Sequence, residues 1–131
     1  MANNPNFGFV YYANRPVFDA QQDFVADMPP SIGDTKMLFD VLYDRLQLPG
    51  YFGFNWNALS DCLRDLSWIK ERRVVLLHHD LPNLPPDDVY IYLDVLLECV
   101  SSWKPTEGHE LIAAFPNQVT SAIQSILRKG R

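Results

Sequence analysis

The sequence predicts an α/β fold built on a small, mostly parallel sheet with helices packed against it. Short apolar runs alternate along the chain with segments whose apolar residues recur at helical spacing. Two of these runs, residues 73–79 and 110–115, are continuously apolar, as in strands buried on both faces of a parallel sheet. The predicted order is strand, helix, helix, strand, helix, strand, helix. The 131 residues contain no repeat or linker, so they suit one domain.

The first half of the chain is predicted to hold two strands and one helix. Residues 7–12 and 23–28 are short runs that contain aromatic and β-branched side chains and are bounded by turn-forming residues. Asp34 or Thr35 is placed to cap the helix that follows, and Pro49 ends it. The apolar stripe of that helix consists of Leu38, Val41, Leu42 and Leu46.

The second half alternates helices with the two continuously apolar strands. A helix is predicted over residues 57–66, because its apolar residues fall at positions i, i+3, i+4 and i+7. These residues are Leu59, Cys62, Leu63 and Leu66. The acidic pair at 87–88 suits the start of the next helix, where carboxylates face the positive end of the helix dipole, and Trp103 lies near its end. A last helix is expected between Asn117 as its cap and Gly130 as its stop.

Charge and composition exclude several classes of function. A net charge of −5 disfavours nucleic acid as a direct partner, because phosphate binding needs a basic surface. It favours a basic protein partner, or merely an acidic solvated surface. No run approaches the ~20 apolar residues of a membrane span, and residues 1–10 lack the features of a signal peptide. We therefore expect a cytoplasmic protein without membrane attachment. Cys62 and Cys99 are expected to be buried and reduced.

No motif for catalysis or for metal binding is found. His78, His79 and His109 have no metal-ligand spacing around them, and neither cysteine belongs to a CxxC pair. The chain contains no GxSxG, GxGxxG or P-loop sequence. A Cys–His nucleophile would need a thiolate, and both cysteines lie on apolar helix faces that disfavour one. The sequence therefore predicts no enzyme activity, no catalytic residue, no metal and no cofactor.

The segment 51–64 combines an aromatic loop with the polar face of a helix. Its aromatic residues are Tyr51, Phe52, Phe54 and Trp56. We expect Trp56 and one phenylalanine to be buried. The helix face opposite the leucines carries Asn57, Asp61 and Arg64, with Ser60 beside them. Exposed aromatic area around a carboxylate is typical of a binding hot spot. The alternative is an ordinary polar helix behind a loop that fills the core.

Residues 48–63 carry a long and specific pattern: a Leu-Pro pair, an aromatic pair with Gly, then Asn, Ala-Leu and Asp-Cys-Leu. The residues in this pattern are Leu48, Pro49, Tyr51, Phe52, Gly53, Asn55, Ala58, Leu59, Asp61, Cys62 and Leu63. In this the chain resembles the barstar-like family of intracellular ribonuclease inhibitors, clearly so over residues 34–68. The resemblance implies one domain, residues 1–131, with a mostly parallel three-stranded sheet flanked by helices. Residues 1–20, with an extra strand, and a C-terminal helix are additions to it.

The resemblance implies inhibition rather than catalysis. In the family, the second helix and the loop before it occlude the active site of a ribonuclease, and acidic side chains stand in the place of RNA phosphates. By this resemblance Asp61 is the anchor toward basic residues of the nuclease. The implied partner-binding residues are Tyr51, Phe52, Asn55, Asn57, Ser60, Asp61 and Arg64. The implied protein is a bacterial inhibitor or immunity protein, monomeric when free, whose partner is a basic ribonuclease toxin.

Three positions depart from the family pattern. Asn57 stands where the family has a second acid, and Ser60 stands where it has an aromatic residue. The family's further acidic contact, on the third helix, has no clear counterpart, because neither Glu98 nor Glu107 is obviously placed for it. These departures favour a ribonuclease other than barnase as the partner. They leave open a regulatory protein-binding module on the same fold, with a partner that is not a nuclease.

Overall fold

The strands form a parallel sheet. The computed structural model describes residues 8–14 and 18–130. The strands in these ranges are β1 (Val10–Tyr12), β2 (Phe24–Met28), β3 (Arg73–His78) and β4 (Glu110–Pro116). They lie in the order β1-β4-β3-β2, and all three pairs are parallel. The predicted fold class is confirmed, because β2, β3 and β4 make the three-stranded sheet and β1 is the extra N-terminal strand.

The helices of the described residues begin close to the predicted positions. They are α1 (Thr35–Arg45), α2 (Trp56–Asp65), α3 (Pro86–Ser102) and α4 (Thr120–Lys129). Asp34 caps α1, since its Oδ1 accepts a hydrogen bond of 2.7 Å from the backbone N–H of Met37. Proline at the first position of α3 and the acidic pair in its first turn are both suited to a helix N-terminus.

The start of the last helix differs from the prediction. Asn117 does not cap α4, because Asn117–Val119 forms a short 3-10 turn between β4 and the helix. The backbone N–H of Thr120 bonds to the carbonyl of Asn117, so the chain tightens before α4 begins. No side-chain hydrogen bond caps α4. Its predicted end at Gly130 is confirmed.

The two faces of the sheet are covered differently. Side chains alternate along each strand, so one set points to the helices and the other points away. On the helix side, strand residues such as Leu76 and Phe115 join a core that includes residues of all four helices. On the opposite side, Val75, Leu77 and Ala114 form a smaller buried cluster. Phe18, from the connection between β1 and β2, packs against this second cluster.

The N-terminal region packs against this second cluster. Of the predicted extension 1–20, residues 1–7 and 15–17 lie outside the described part of the chain. The described remainder provides β1 at the sheet edge and the side chain of Phe18. None of the helices within residues 8–14 and 18–130 has the length and apolar content needed to cross a membrane.

Candidate partner-binding surface

The loop that precedes α2 is fixed by Asn55. Its side-chain Oδ1 accepts a hydrogen bond of 2.8 Å from the backbone N–H of Ala58, which caps the helix. Its Nδ2 donates a bond of 3.2 Å to the carbonyl of Gly53. A side chain at position 53 would place its Cβ only 3.0 Å from that amide nitrogen, so the close approach favours glycine. Asn55, predicted as a contact residue, therefore has a clear positioning role.

The two faces of α2 are sharply divided. Leu59, Cys62 and Leu63 have no exposed surface, because they pack into the core beneath the helix. The opposite face carries Asn57, Asp61 and Arg64, all of which are exposed as predicted. The side-chain carboxylate of Asp61 has no hydrogen bond or ion pair to any residue in the described part of the chain. An exposed carboxylate on a rigid helix is therefore available for a partner.

Tyr51 lies beside this face and is 57% exposed. Its hydroxyl donates a hydrogen bond of 2.5 Å to Oδ2 of Asp65, the last residue of α2. This bond raises the pKa of Tyr51 and lowers the pKa of Asp65, because it stabilises the neutral phenol and the ionised carboxylate together. The two acids of the helix are thus distinct: Asp65 holds Tyr51 in place, while Asp61 remains open.

A second acid lies near the same face. Glu98 of α3 places its Oε1 3.6 Å from Nη2 of Arg64, across the contact between α3 and α2. Both side chains are about half exposed. The sequence did not predict that Glu98 lies beside the α2 surface, because the packing of two helices decides which of their residues become neighbours. Its helical phase was the available signal, since Leu96 and Cys99 point inward and leave Glu98 at the edge.

Ser60 faces α3 rather than open solvent. Its side chain is half-buried, and its Oγ lies 3.8 Å from Sγ of Cys99. Burial raises the pKa of the Cys99 thiol and also that of the Cys62 thiol, so neither is a reactive thiolate at neutral pH. The predicted burial of both cysteines, on two different helices, is confirmed.

Phe52 requires a correction. It was predicted to contact a partner, but its side chain is only 3% exposed and belongs to the core. It packs edge-on against Phe39 of α1, with ring centroids 6.0 Å apart. Phe52 is therefore the buried phenylalanine of the loop, while Phe54 remains 44% exposed. Trp56 is half-buried, with its ring 4.7 Å from that of Phe39.

Two histidines that are adjacent in sequence, His78 and His79, occupy different environments. His78 is buried, with Nε2 2.6 Å from the Tyr92 hydroxyl and Nδ1 3.0 Å from the carbonyl of Ala114. Burial lowers its pKa to about 4, because the charged form loses its hydration. His79 pairs with Asp27 at 2.6 Å on the surface. Within the described residues, no three His, Cys, Asp or Glu side chains are grouped closely enough to hold a metal ion.

The arrangement of the α2 surface is suited to recognition. It offers an exposed carboxylate at Asp61 on an anchored helix, an exposed aromatic ring at Tyr51 and a neighbouring acid at Glu98. Such a surface can bind cationic side chains of another protein.

Comparison with known proteins identifies the family. The family model described as Barstar (barnase inhibitor) matches residues 21–115, well over half of the chain. No curated protein and no solved structure shows a significant match. The match contains α1, α2, α3, β2, β3 and all of β4 except Pro116, and therefore the whole candidate surface, while β1 and α4 lie outside it. The chain is a member of the barstar family.

Proposed function

We propose that this protein inhibits a basic ribonuclease by placing the exposed face of α2 and the preceding loop over its active site. The observation that carries the proposal is the exposed carboxylate of Asp61, which has no partner within the described residues and stands on a helix anchored in the core. In this role Asp61 occupies the position of an RNA phosphate and binds the cations that normally bind the substrate. No catalysis by the inhibitor itself is required.

The rigidity of the surface supports a binding role. The leucine face of α2 is fully buried, and Nε1 of Trp103 donates a hydrogen bond of 2.9 Å to the carbonyl of Leu63. At the other end of the helix, Asn55 fixes the loop through two hydrogen bonds. Because these groups are already ordered, association costs little conformational entropy.

The charges near Asp61 are suited to a cationic partner. Among the described residues Glu98 pairs with Arg64 alone, and exposed ion pairs of this kind contribute roughly 0–1 kcal/mol. Glu98 can therefore exchange this pair for a cation of the ribonuclease at little cost. We propose that it supplies the family's further acidic contact. The net charge of −5 also accelerates the encounter with a basic enzyme.

The departures from the family pattern concern the identity of the ribonuclease. Asn57 removes one negative charge from the surface, and Ser60 is a small side chain turned toward α3. We propose that the partner is a ribonuclease toxin other than barnase and that the chain is its cytoplasmic immunity protein. Residues 1–131 would act as one domain, with residues 1–20 as an addition, because the family match begins at residue 21.

Inhibition assays with a panel of purified basic bacterial ribonucleases, barnase included, test this function. We expect stoichiometric inhibition of RNA cleavage by at least one member. A mononucleotide that occupies the active site of that enzyme should compete with the inhibitor. Tight binding without inhibition, or without competition, would contradict the proposal and would favour a regulatory binding module.

The variant Asn57→Asp provides a matched test of the electrostatic argument. It restores the family's second acid at an exposed position on α2, so the fold should be unchanged. We expect faster association with the inhibited ribonuclease at low salt, and a smaller difference as the salt concentration rises. An association rate equal to that of the wild type at low salt would show that charge at position 57 does not contribute.

A further inference from the structure

Two aromatic side chains outside the predicted contact set form an exposed pair. Tyr43 of α1 is 40% exposed and Phe54 is 44% exposed, with ring centroids 5.2 Å apart. We call this pair the aromatic ledge. It adjoins the N-terminal end of α2, because Phe54 directly precedes the capping residue Asn55. The ledge is therefore continuous with the surface that carries Asn57 and Asp61.

The backbone at Phe54 is in an unfavourable conformation. Its φ is +56°, in the left-handed region that costs roughly 1–2 kcal/mol for a residue with a side chain. Leu66 has a similar φ of +52°, but its side chain is completely buried, so apolar burial offsets the cost. Phe54 keeps nearly half of its surface in solvent. Burial therefore offsets the cost of this backbone conformation less at Phe54 than at Leu66.

The ledge is held rigidly from beneath. Phe54 packs on the buried ring of Phe52 at 4.8 Å, and Tyr43 stacks over the same ring at 6.3 Å. Asn55, fixed by its bonds to Gly53 and Ala58, holds the backbone next to Phe54. The inner sides of the two rings are thus packed, while their outer sides are open.

The charges beside the ledge indicate the chemistry of its ligand. Asp40 lies three residues before Tyr43 on the same side of α1. Within residues 8–14 and 18–130, the ion pair that Asp40 forms is an exposed one with Lys36. Aromatic faces next to carboxylates suit a planar guanidinium, which stacks on rings and donates hydrogen bonds to acids.

We propose that the aromatic ledge binds an arginine side chain of the ribonuclease at the edge of the same interface. The inference rests on the proposed function, because it takes the partner of Asp61 to be the partner of the ledge. It adds a second requirement to the partner, namely an exposed arginine beside the cations of its active site.

Variants of the ledge test the proposal with the ribonuclease from the panel that the wild-type protein inhibits most strongly. Phe54→Leu and Tyr43→Leu keep apolar bulk but remove the ring, and each should raise the Kd about fivefold. Tyr43→Phe keeps the ring and should bind like the wild type. Met37→Ala is the surface control, since Met37 is 41% exposed on α1 but about 120° around the helix from Tyr43. Thermal melting verifies that each variant is folded.

A double-mutant cycle identifies the ligand. Each arginine on the active-site side of the ribonuclease is changed to methionine and combined with Phe54→Leu. Coupling with one arginine is the expected result. If both leucine variants bind more weakly but show no coupling to any arginine, the ledge contacts an apolar group of the partner and not a guanidinium. That result would overturn the proposal. Unchanged binding of Phe54→Leu and Tyr43→Leu to an inhibited ribonuclease would refute the ledge alone. If no ribonuclease is inhibited, the proposed function fails and the ledge assignment fails with it.

Discussion

The two faces of α2 differ in what they contribute to the molecule. Leu59, Cys62 and Leu63 on one face have no exposed surface, whereas Asp61 and Arg64 on the other are open to solvent. The buried face fixes the position of the helix and supplies stability. The exposed face contributes little to folding, so its residues can be chosen for a partner. Within the ten residues of α2, one face supplies stability and the other is open to a partner. Substitutions on the buried face should therefore lower the free energy of unfolding, and substitutions on the exposed face should lower affinity for the proposed partner.

The largest effect is expected on the buried face. Leu63→Ala removes a fully buried side chain and should lower the free energy of unfolding by about 2–5 kcal/mol. Arg64→Ala, the next residue and on the exposed face, is the matched control and should change it by less than about 0.5 kcal/mol. Urea denaturation followed by tryptophan fluorescence measures both. Similar losses in the two variants would mean that the faces of α2 are not divided as described.

His78, on strand β3, is a buried group whose protonation affects stability. Its folded-state pKa falls from an ordinary value of 6.5 to about 4, so His78 is neutral in the fold at pH values where it would be protonated in the unfolded chain. Stability from this group is complete above pH 6.5 and is lost as the pH falls toward 4. The expected loss is about 3 kcal/mol.

Urea denaturation between pH 7 and pH 4 tests this dependence. His78→Gln removes the titration and retains a polar side chain, so stability should fall less steeply in this pH range than in the wild type. His79→Gln is the control, because His79 is partly exposed and pairs with Asp27 at the surface. An equal pH dependence in wild type and His78→Gln would show that His78 is not the group responsible.

A smaller effect on stability is expected at the N-terminus of α2, where Asn55 joins the helix to the loop. Asn55→Ala removes the cap of α2 and the bond to Gly53, and should lower the free energy of unfolding by about 1 kcal/mol. Because the same bonds hold the loop, affinity for the inhibited ribonuclease should also fall. Asn55→Asp, which can still accept the bond from Ala58, should recover most of the stability. Loss of stability with unchanged affinity would mean that loop order does not matter for binding.

Much of this organisation could be predicted from local sequence patterns. The leucine spacing in α2 and the Asp34 cap of α1 depend on residues close in the chain, and both are confirmed. The exposed face of α2 follows from the same periodicity. The predicted start of α4 was wrong, because a 3-10 turn precedes the helix. No periodic pattern in the sequence distinguishes that turn from a capped helix start.

The remaining features depend on tertiary packing. Phe52 and Phe54 are alike in sequence, and in an irregular loop no period tells which ring is buried. The structure assigns Phe52 to the core because α1 supplies the ring of Phe39 beneath it. Glu98 gains its place beside Arg64 only when α3 packs against α2. Residues of this kind lie far apart in the chain, so their proximity has no local signature.

Replacement of Asp61 tests whether the exposed face of α2 binds the ribonuclease. Asp61→Ala should leave the free energy of unfolding within about 0.5 kcal/mol of the wild type, since the residue is exposed and outside the core. Its affinity for the inhibited ribonuclease should fall by roughly 2 kcal/mol or more, mainly through faster dissociation, a range whose reference cases include barstar itself. The reason is that truncation leaves the cations of the partner buried and unpaired.

The matched control is Asp87→Ala, which removes one exposed aspartate from the first turn of α3 and changes the net charge equally. Binding kinetics and thermal melting are measured for both variants beside the wild type. We expect rapid dissociation for Asp61→Ala alone, with all three proteins folded. If Asp61→Ala dissociates as slowly as the wild type, the exposed face of α2 is not the surface that binds the ribonuclease.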